Sequence, residues 1–171
     1  ESQIDVPDHI DETLYHLGRN YTFFSIDSNL NFLFNGNKVS NNFEFNNYLK
    51  RLGYKFKNEE HELGGYIILK NKKICLVMDA GSTPNFKYTK DYQSGALSFE
   101  IISNGKKLIS NCGYYKQKNN ELYQISKSSA AQSTLIIDDN SSCKFNKVHN
   151  NLLIKNGLKK IKKKIIFEKN Y

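Results

Sequence analysis

Ala96-Leu97-Ser98-Phe99-Glu100-Ile101-Ile102-Ser103-Asn104-Gly105-Lys106-Lys107-Leu108-Ile109-Ser110-Asn111-Cys112 is two mainly apolar runs joined by Asn-Gly. A two-residue type I′ turn needs positive φ at both central positions. Asn and Gly tolerate this best, so the pair predicts a β-hairpin. In that register Ser103 faces Lys106, and pairing outward sets Ile101 against Leu108, Phe99 against Ser110 and Leu97 against Cys112. Side chains alternate along a strand, so these residues share a face, and its apolar content makes it the expected core face. Ser98 and Glu100 share the opposite face with Ile109 and Asn111, which is expected to border a cleft.

The segments around the hairpin also read as strands. Runs 65–69 and 73–78 flank Lys70-Asn71-Lys72, a tight turn, and 134–138, 152–154 and 165–167 are further short apolar runs. Upstream, Asp8 is placed to cap a helix over 8–18, with Ile10, Leu14 and Leu17 at helical spacing and Gly18 at its end. From Tyr21 the pattern turns to short aromatic runs through Phe23, Ile26, Leu30, Phe32 and Phe34. Asp27-Ser28-Asn29 and Asn35-Gly36-Asn37 break them, the latter as a second hairpin signal. Residues 43–51 predict a short helix capped by Asn41 or Asn42 and closed by Gly53. The expected fold is mainly β: a partial antiparallel β-sandwich with one or two short helices near the N-terminus. Residues 1–20 form a helical lead-in and 21–171 one β domain.

Composition bounds what such a domain can do. At 171 residues the chain suits one domain with a real core. With 39% hydrophobic and 25% charged residues it has a folded rather than a disordered composition. No run approaches the roughly 20 apolar residues that span a bilayer. The chain starts at Glu1, its single Met is Met78, and no charged region followed by an apolar one marks a secretion signal. It is therefore expected to be cut from a longer protein at both ends. The net charge of +8 suits either a solvated surface or a polyanionic partner. Lysines concentrate over 155–169, with Lys159, Lys160, Lys162, Lys163 and Lys164 close together and only Phe167 and Tyr171 as nearby aromatics. Nucleic-acid patches interleave more aromatics, so no specific nucleic-acid partner is expected, and the run reads as a solvated strand edge or turn. Cys75, Cys112 and Cys143 form no C-x-x-C pair, and Cys75 and Cys112 read as buried thiols within apolar runs. His9, His16, His61 and His149 are scattered surface or loop residues without ligand-like spacing.

An ordered set of motifs then supports a resemblance. Met78-Asp79-Ala80-Gly81 is followed by Gln93-Ser94-Gly95-Ala96-Leu97-Ser98-Phe99-Glu100, by Asn111-Cys112-Gly113, and by Ala131-Gln132-Ser133-Thr134-Leu135 running into Asp138-Asp139. Upstream lie the stretch 27–36 (DSNLNFLFNG) and Leu52-Gly53-Tyr54. This order and spacing resembles the C-terminal β-sandwich of heparinase II/III-like polysaccharide lyases, most strongly over 74–142.

The resemblance implies a parent enzyme that cleaves uronic-acid-containing acidic polysaccharide by β-elimination. A base removes the proton α to the carboxyl group, a neutralising group steadies the enolate, and an acid protonates the leaving oxygen. It implies an N-terminal helical toroid that supplies a Tyr and an Asn or His, and a bacterial, periplasmic setting. It also implies a sandwich histidine and, in some members, a metal held by His, Asp and His. In this chain those positions are occupied otherwise. The family's paired histidines fall on Asp91 and Gln93, the metal Asp on Asn111 and the later His on Gln132. Amides make a poor zinc set and cannot act as a base near neutral pH, so no metal cofactor is expected and the catalytic residues within this chain are unknown. Tyr92, Gln93, Asn111 and Gln132 remain as candidate substrate-binding residues. The sandwich is then a scaffold and cleft wall, inactive alone, or alternatively a non-catalytic carbohydrate-binding module. Tyr114 and Tyr115 read as rim aromatics. The incomplete sandwich is expected to expose apolar edges and to associate.

Overall fold

The computed structural model describes residues 7–24, 30–37, 43–56, 60–118, 120–159 and 161–166. Five strands form one antiparallel sheet in chain order: β1 (Glu62–Leu63), β2 (Tyr66–Lys70), β3 (Ile74–Asp79), β4 (Phe99–Ser103) and β5 (Lys106–Ile109). A second antiparallel pair, β6 (Lys144–Val148) and β7 (Asn151–Asn156), follows. Helices α1 (Asp8–Phe24), α2 (Phe43–Arg51) and α3 (Glu121–Lys127) complete the described elements. The fold is mainly antiparallel β, as the strand pattern predicts.

The turns behave as their residues require. Asn71 Oδ1 accepts from Lys73 N at 2.8 Å and from Ile74 N at 2.7 Å, closing the β2–β3 turn. Asn104 and Gly105 take φ of 47° and 74°, a type I′ geometry, with Ser103 opposite Lys106. Beyond that pair the expected register fails. Ile102 faces Lys107, but Ile101 faces Ile109, and Leu108 is the extra residue of a β-bulge, 66% exposed.

The expected core face is also inverted. Ser98, Glu100 and Ile102 are buried, while Phe99 and Ile101 are only half-buried and Leu97, at a φ of 59°, is exposed. The reason lies in β3, whose buried residues Cys75 and Val77 pair directly with Ile102 and Glu100. Phe32 and Phe34 cover this side and join Cys75, Val77 and Ile102 in the main core. An alternation rule places the apolar face inward, and here an ionisable side chain lies inside because hydrogen bonds offset its burial.

The first helix runs past Gly18 to Phe24, so Tyr21 and Phe23 are helical and not extended. Gly18 is needed as a close approach: a Cβ there would lie 2.3 Å from the Phe56 ring. Past it, Phe24 stacks edge-on against Tyr66 at 5.1 Å, and this packing on β2 overrides the β-preference of the aromatics. α2 has the predicted bounds. Tyr54 N bonds to Leu49 O and Gly53 N to Lys50 O, the Schellman pattern, with Gly53 at φ 78°. Its expected caps Asn41 and Asn42 lie outside the described residues, as do Ile26 to Asn29 and Phe167. Asn35-Gly36 makes a turn with both φ positive, but no paired strands flank it among the described residues.

Two expected strands are absent among the described residues. Leu135, Ile136 and Ile137 are exposed, with only an isolated Ile137–Asn140 bridge, and Ile165 and Ile166 are in no strand. β6 and α3 had no counterpart in the sequence reading. The second small core gathers Tyr92, Cys143 and Ile154, with Phe145 packed against it.

Candidate functional site

The chain leaving β3 loops through 80–98, re-enters the sheet at β4, and returns after β5 through 111–113. α3 and a short 3₁₀ turn over Ser129–Ala131 then deliver Gln132. Asn120 opens α3 by accepting from Leu122 N at 2.9 Å. Its turns aim Tyr123, Ser126 and Lys127 inward, all three buried.

Three of the four candidate residues meet in this region. Gln93 Nε2 donates to Ser126 O at 2.9 Å and to Gly113 O at 2.7 Å, and its Oε1 accepts from Gly36 N at 3.0 Å. Gln132 Nε2 donates to the same Ser126 carbonyl at 2.8 Å and approaches Cys112 Sγ at 3.5 Å. Asn111 lies beside them: its Oδ1 accepts from Ser133 N at 3.0 Å and its Nδ2 donates to Glu100 Oε1 at 3.1 Å. The fourth candidate, Tyr92, is buried in the second core instead. All four are under 10% exposed, and the three amides spend hydrogen-bonding atoms on the protein itself. Cys112, expected inside, is exposed, although partial burial raises its thiol pKa.

Glu100 anchors the cluster. It is 0% exposed, and Oε1 accepts from Leu33 N at 2.8 Å and Asn111 N at 3.2 Å, while Lys107 Nζ reaches Oε2 at 3.0 Å. One carboxylate thus ties the 30–37 segment, the end of β5 and the hairpin turn. Lys127 is the buried cation of the site. Its Nζ donates to Lys90 O and to Tyr92 O at 2.6 and 2.8 Å and lies over the Tyr123 and Phe145 rings. Burial pulls its pKa down to about 8, with Asp91 opposing and Lys118 adding to the fall. Asp79, at the end of β3, is pushed up to about 6 by burial, against hydrogen bonds from Gly81 N and Asn35. Burial first, then the Asp79 charge, raises the Tyr66 and Tyr92 hydroxyls as well.

A polar cleft of about 450 Å³ opens over this cluster, lined by Asn35, Asn37, Lys90, Asp91, Tyr114 and Lys118. Gly36, Asp91 and Tyr114 also border a small void of about 10 Å³ against Gln93, Ser126 and Lys127. Lys118 Nζ is steadied by Asn151 Oδ1 at 2.7 Å. The sequence singled out Gln93, Asn111 and Gln132, which the fold brings together, and gave no sign of Lys90, Lys118 or Lys127 beside them or of the burial of Glu100. The Asn120 cap followed by inward residues at positions 123, 126 and 127 was the available signal for α3.

The cluster does not fit a metal. Its donors are neutral amides whose N–H groups point at main-chain carbonyls, and a divalent ion takes imidazole, thiolate or carboxylate in preference. Among the described residues no group of three or more His, Cys, Asp or Glu is arranged to hold one. Nor is any helix of the described residues long and apolar enough to cross a membrane.

Comparison with known proteins matches residues 58–157 to the model of the family "Heparinase II/III-like, C-terminal". No curated protein matches. Among solved structures, a heparinase III gene product is similar at 17% identity and a TM-score of 0.62, over 79% of this chain and 25% of its own. A second heparinase III gives 15% and 0.61, over 83% and 29%. The heparan sulfate lyase HepC from Pedobacter heparinus gives 15% and 0.60, over 86% and 28%. The chain therefore spans between a quarter and a third of the length of these structures.

Proposed function

Because the chain belongs to the heparinase II/III-like C-terminal family, we propose that it is the sandwich domain of a lyase acting on acidic, uronic-acid-containing polysaccharide, where it walls the substrate cleft. The observation that carries this reading is the meeting of Gln93 and Gln132 on Ser126 O, beneath a cleft that presents Lys90, Lys118, Tyr114 and Asp91. The family resemblance expects histidines at both positions, and in this reading amides stand in their place.

In this reading the amides support the cleft and Lys90, Lys118 and Tyr114 face the sugar. Lysine ammonium groups offset uronate or sulfate charge, and Tyr114 supplies a face for a ring. Proton abstraction at the carbon α to the carboxyl group needs a base, which neutral amides do not provide. The chemistry belongs to other parts of the parent protein, and no metal is used in the cluster. The alternative in which the amides themselves bind sugar is less well supported, since main-chain groups occupy their hydrogen-bonding atoms.

A partner for the domain is the helical part of the same parent. The outer faces of α1 and α2 support this, because Ile10, Tyr15, Leu17, Phe43, Phe45 and Tyr48 are all about half exposed or more. The same reading puts the parent in the bacterial periplasm.

The test uses the parent protein with heparan sulfate and other uronate polysaccharides, following the ultraviolet absorbance of the unsaturated product. Lys90→Ala with Lys118→Ala raises KM about tenfold in this reading, since each lost charge contact weakens sugar binding. A parent that releases no unsaturated product from any uronate polysaccharide sinks the lyase reading. Unchanged KM in the double variant sinks the cleft assignment.

A further inference from the structure

The lysine-rich segment after β7 is tied down at both ends. Gly157 packs so closely on Thr83 that a Cβ would lie 2.5 Å from the Thr83 hydroxyl. Thr83 N donates to Leu158 O at 3.0 Å, and Leu158 N donates to Thr83 Oγ1 at 2.8 Å. At the other end Lys163 is ion-paired with Glu62 of β1. Between these ties lies a groove of about 580 Å³, which shares no lining residue with the cleft described above.

Its two sides differ in kind. The wall is Lys159, Lys162 and Lys163, with Ile161 as its apolar member. The floor is Gly64, Gly65, Ala80, Gly81 and Ser82, and it is nearly bare backbone. Gly65 has φ of 90°, and a Cβ on it would lie 2.6 Å from Gly81 Cα, so the two glycine backbones lie directly against each other. Ala80 N donates to Gly65 O at 2.9 Å and holds them there. Lys163 is engaged by Glu62, whereas among the described residues Lys159 and Lys162 have no ion pair, and both are exposed.

We propose that this groove is a second anion-binding subsite, which holds an outlying stretch of acidic polysaccharide. Carboxylate or sulfate groups lie on Lys159 and Lys162, and the sugar rings lie over the glycine floor. The choice of occupant rests on the lyase reading, and the groove itself rests on its own residues. A floor of small residues admits a bulky ring, and ammonium groups spaced along one wall suit charges repeated along a chain. No aromatic lines the groove, so it lacks the stacking platform on which single-stranded nucleic acids are held.

The test is calorimetric titration of the chain with a heparin hexasaccharide at several salt concentrations, with single-stranded DNA of matched charge as competitor. Lys159→Glu with Lys162→Glu is expected to lower heparin affinity at least about tenfold and to reduce the steepness of its salt dependence. Lys159→Gln with Lys162→Gln shows a smaller loss in the same direction, and both retain the wild-type thermal unfolding midpoint. Adding Lys90→Ala and Lys118→Ala to the Lys159→Glu, Lys162→Glu variant lowers the affinity by a further step that adds to the first, so failure of the groove and failure of the cleft are read separately. Equal loss on reversing Lys144 and Lys147 of β6 overturns the proposal in favour of net charge alone. Tighter binding of DNA than of heparin at the same salt overturns the choice of occupant.

Discussion

Gln93 and Gln132 donate to one acceptor, the carbonyl of Ser126, at 2.9 and 2.8 Å. Two side chains from separate loops therefore close around a single main-chain atom in α3. Losing Gln93 also leaves Gly36 N unmatched and Gly113 O with only the weak Cys112 thiol donor. Gln93→Ala is expected to destabilise the fold by about 2–4 kcal/mol and Gln132→Ala by about 1–2 kcal/mol. In urea denaturation the double variant costs more than the two singles added, because either amide alone still serves the shared acceptor and only the double loss leaves it without one. Strict additivity would show that the two glutamines act independently.

Glu100 carries a second load. Glu100→Ala leaves Leu33 N and both Asn111 donors unmatched and strands Lys107, with an expected loss of about 3–5 kcal/mol. Glu100→Gln keeps the Oε1 contacts, faces Lys107 with a second donor, and loses about half as much. Equal midpoints for the wild type and Glu100→Ala would refute the internal role given to this carboxylate.

Asp79 sets a pH dependence in the acid range. Its folded pKa of about 6 lies above the ordinary 3.8, so the folded chain binds the proton more tightly than the unfolded one. Stability from this group is fully present below the ordinary value and falls as pH rises to about 6, by at most about 3 kcal/mol. Asp79→Asn removes that fall. Stability curves from pH 3 to 7 that run parallel for the two proteins would exclude it.

Lys127 works in the opposite direction at alkaline pH. Its folded pKa is lowered from 10.5 to about 8, so the unfolded chain holds more proton between those values. Stability therefore rises with pH across this window, again by at most about 3 kcal/mol. The raised Tyr66 and Tyr92 oppose it only above the ordinary tyrosine value of 10.0. The wild-type curve is expected to climb relative to that of Lys127→Met between pH 8 and 10. A constant gap would place Lys127 in a more solvated setting.

Much of the fold was legible where a residue has one local task. Asn104-Gly105, Asn71 and Gly53 each fix a turn or cap through their own backbone, and all three act as the sequence implies. Reading failed where distant packing decides. The bulge at Leu108 depends on what Asn111 and Glu100 reach, and the face inversion depends on Cys75 and Val77 across the ladder. Phe24 is helical because of Tyr66, which no window around Phe24 contains. Gln93, Asn111 and Gln132 were singled out from a resemblance, and the fold brings them together. Their saturation by carbonyls was hidden because main-chain acceptors leave no mark in the identity of the residue that carries them.

The acceptors at the centre of the cluster, Ser126 O and Gly113 O, belong to the main chain and are present whatever side chains surround them. What they ask of position 132 is one N–H of suitable reach, and of position 93 two. A neutral imidazole carries a single N–H, which matches the one bond that Gln132 gives to Ser126 O but not the two carbonyls that Gln93 serves. The two positions therefore differ in how freely the fold accepts a change of donor: position 132 takes any residue with one N–H of suitable reach, whereas position 93 holds two stretches of main chain together and does not.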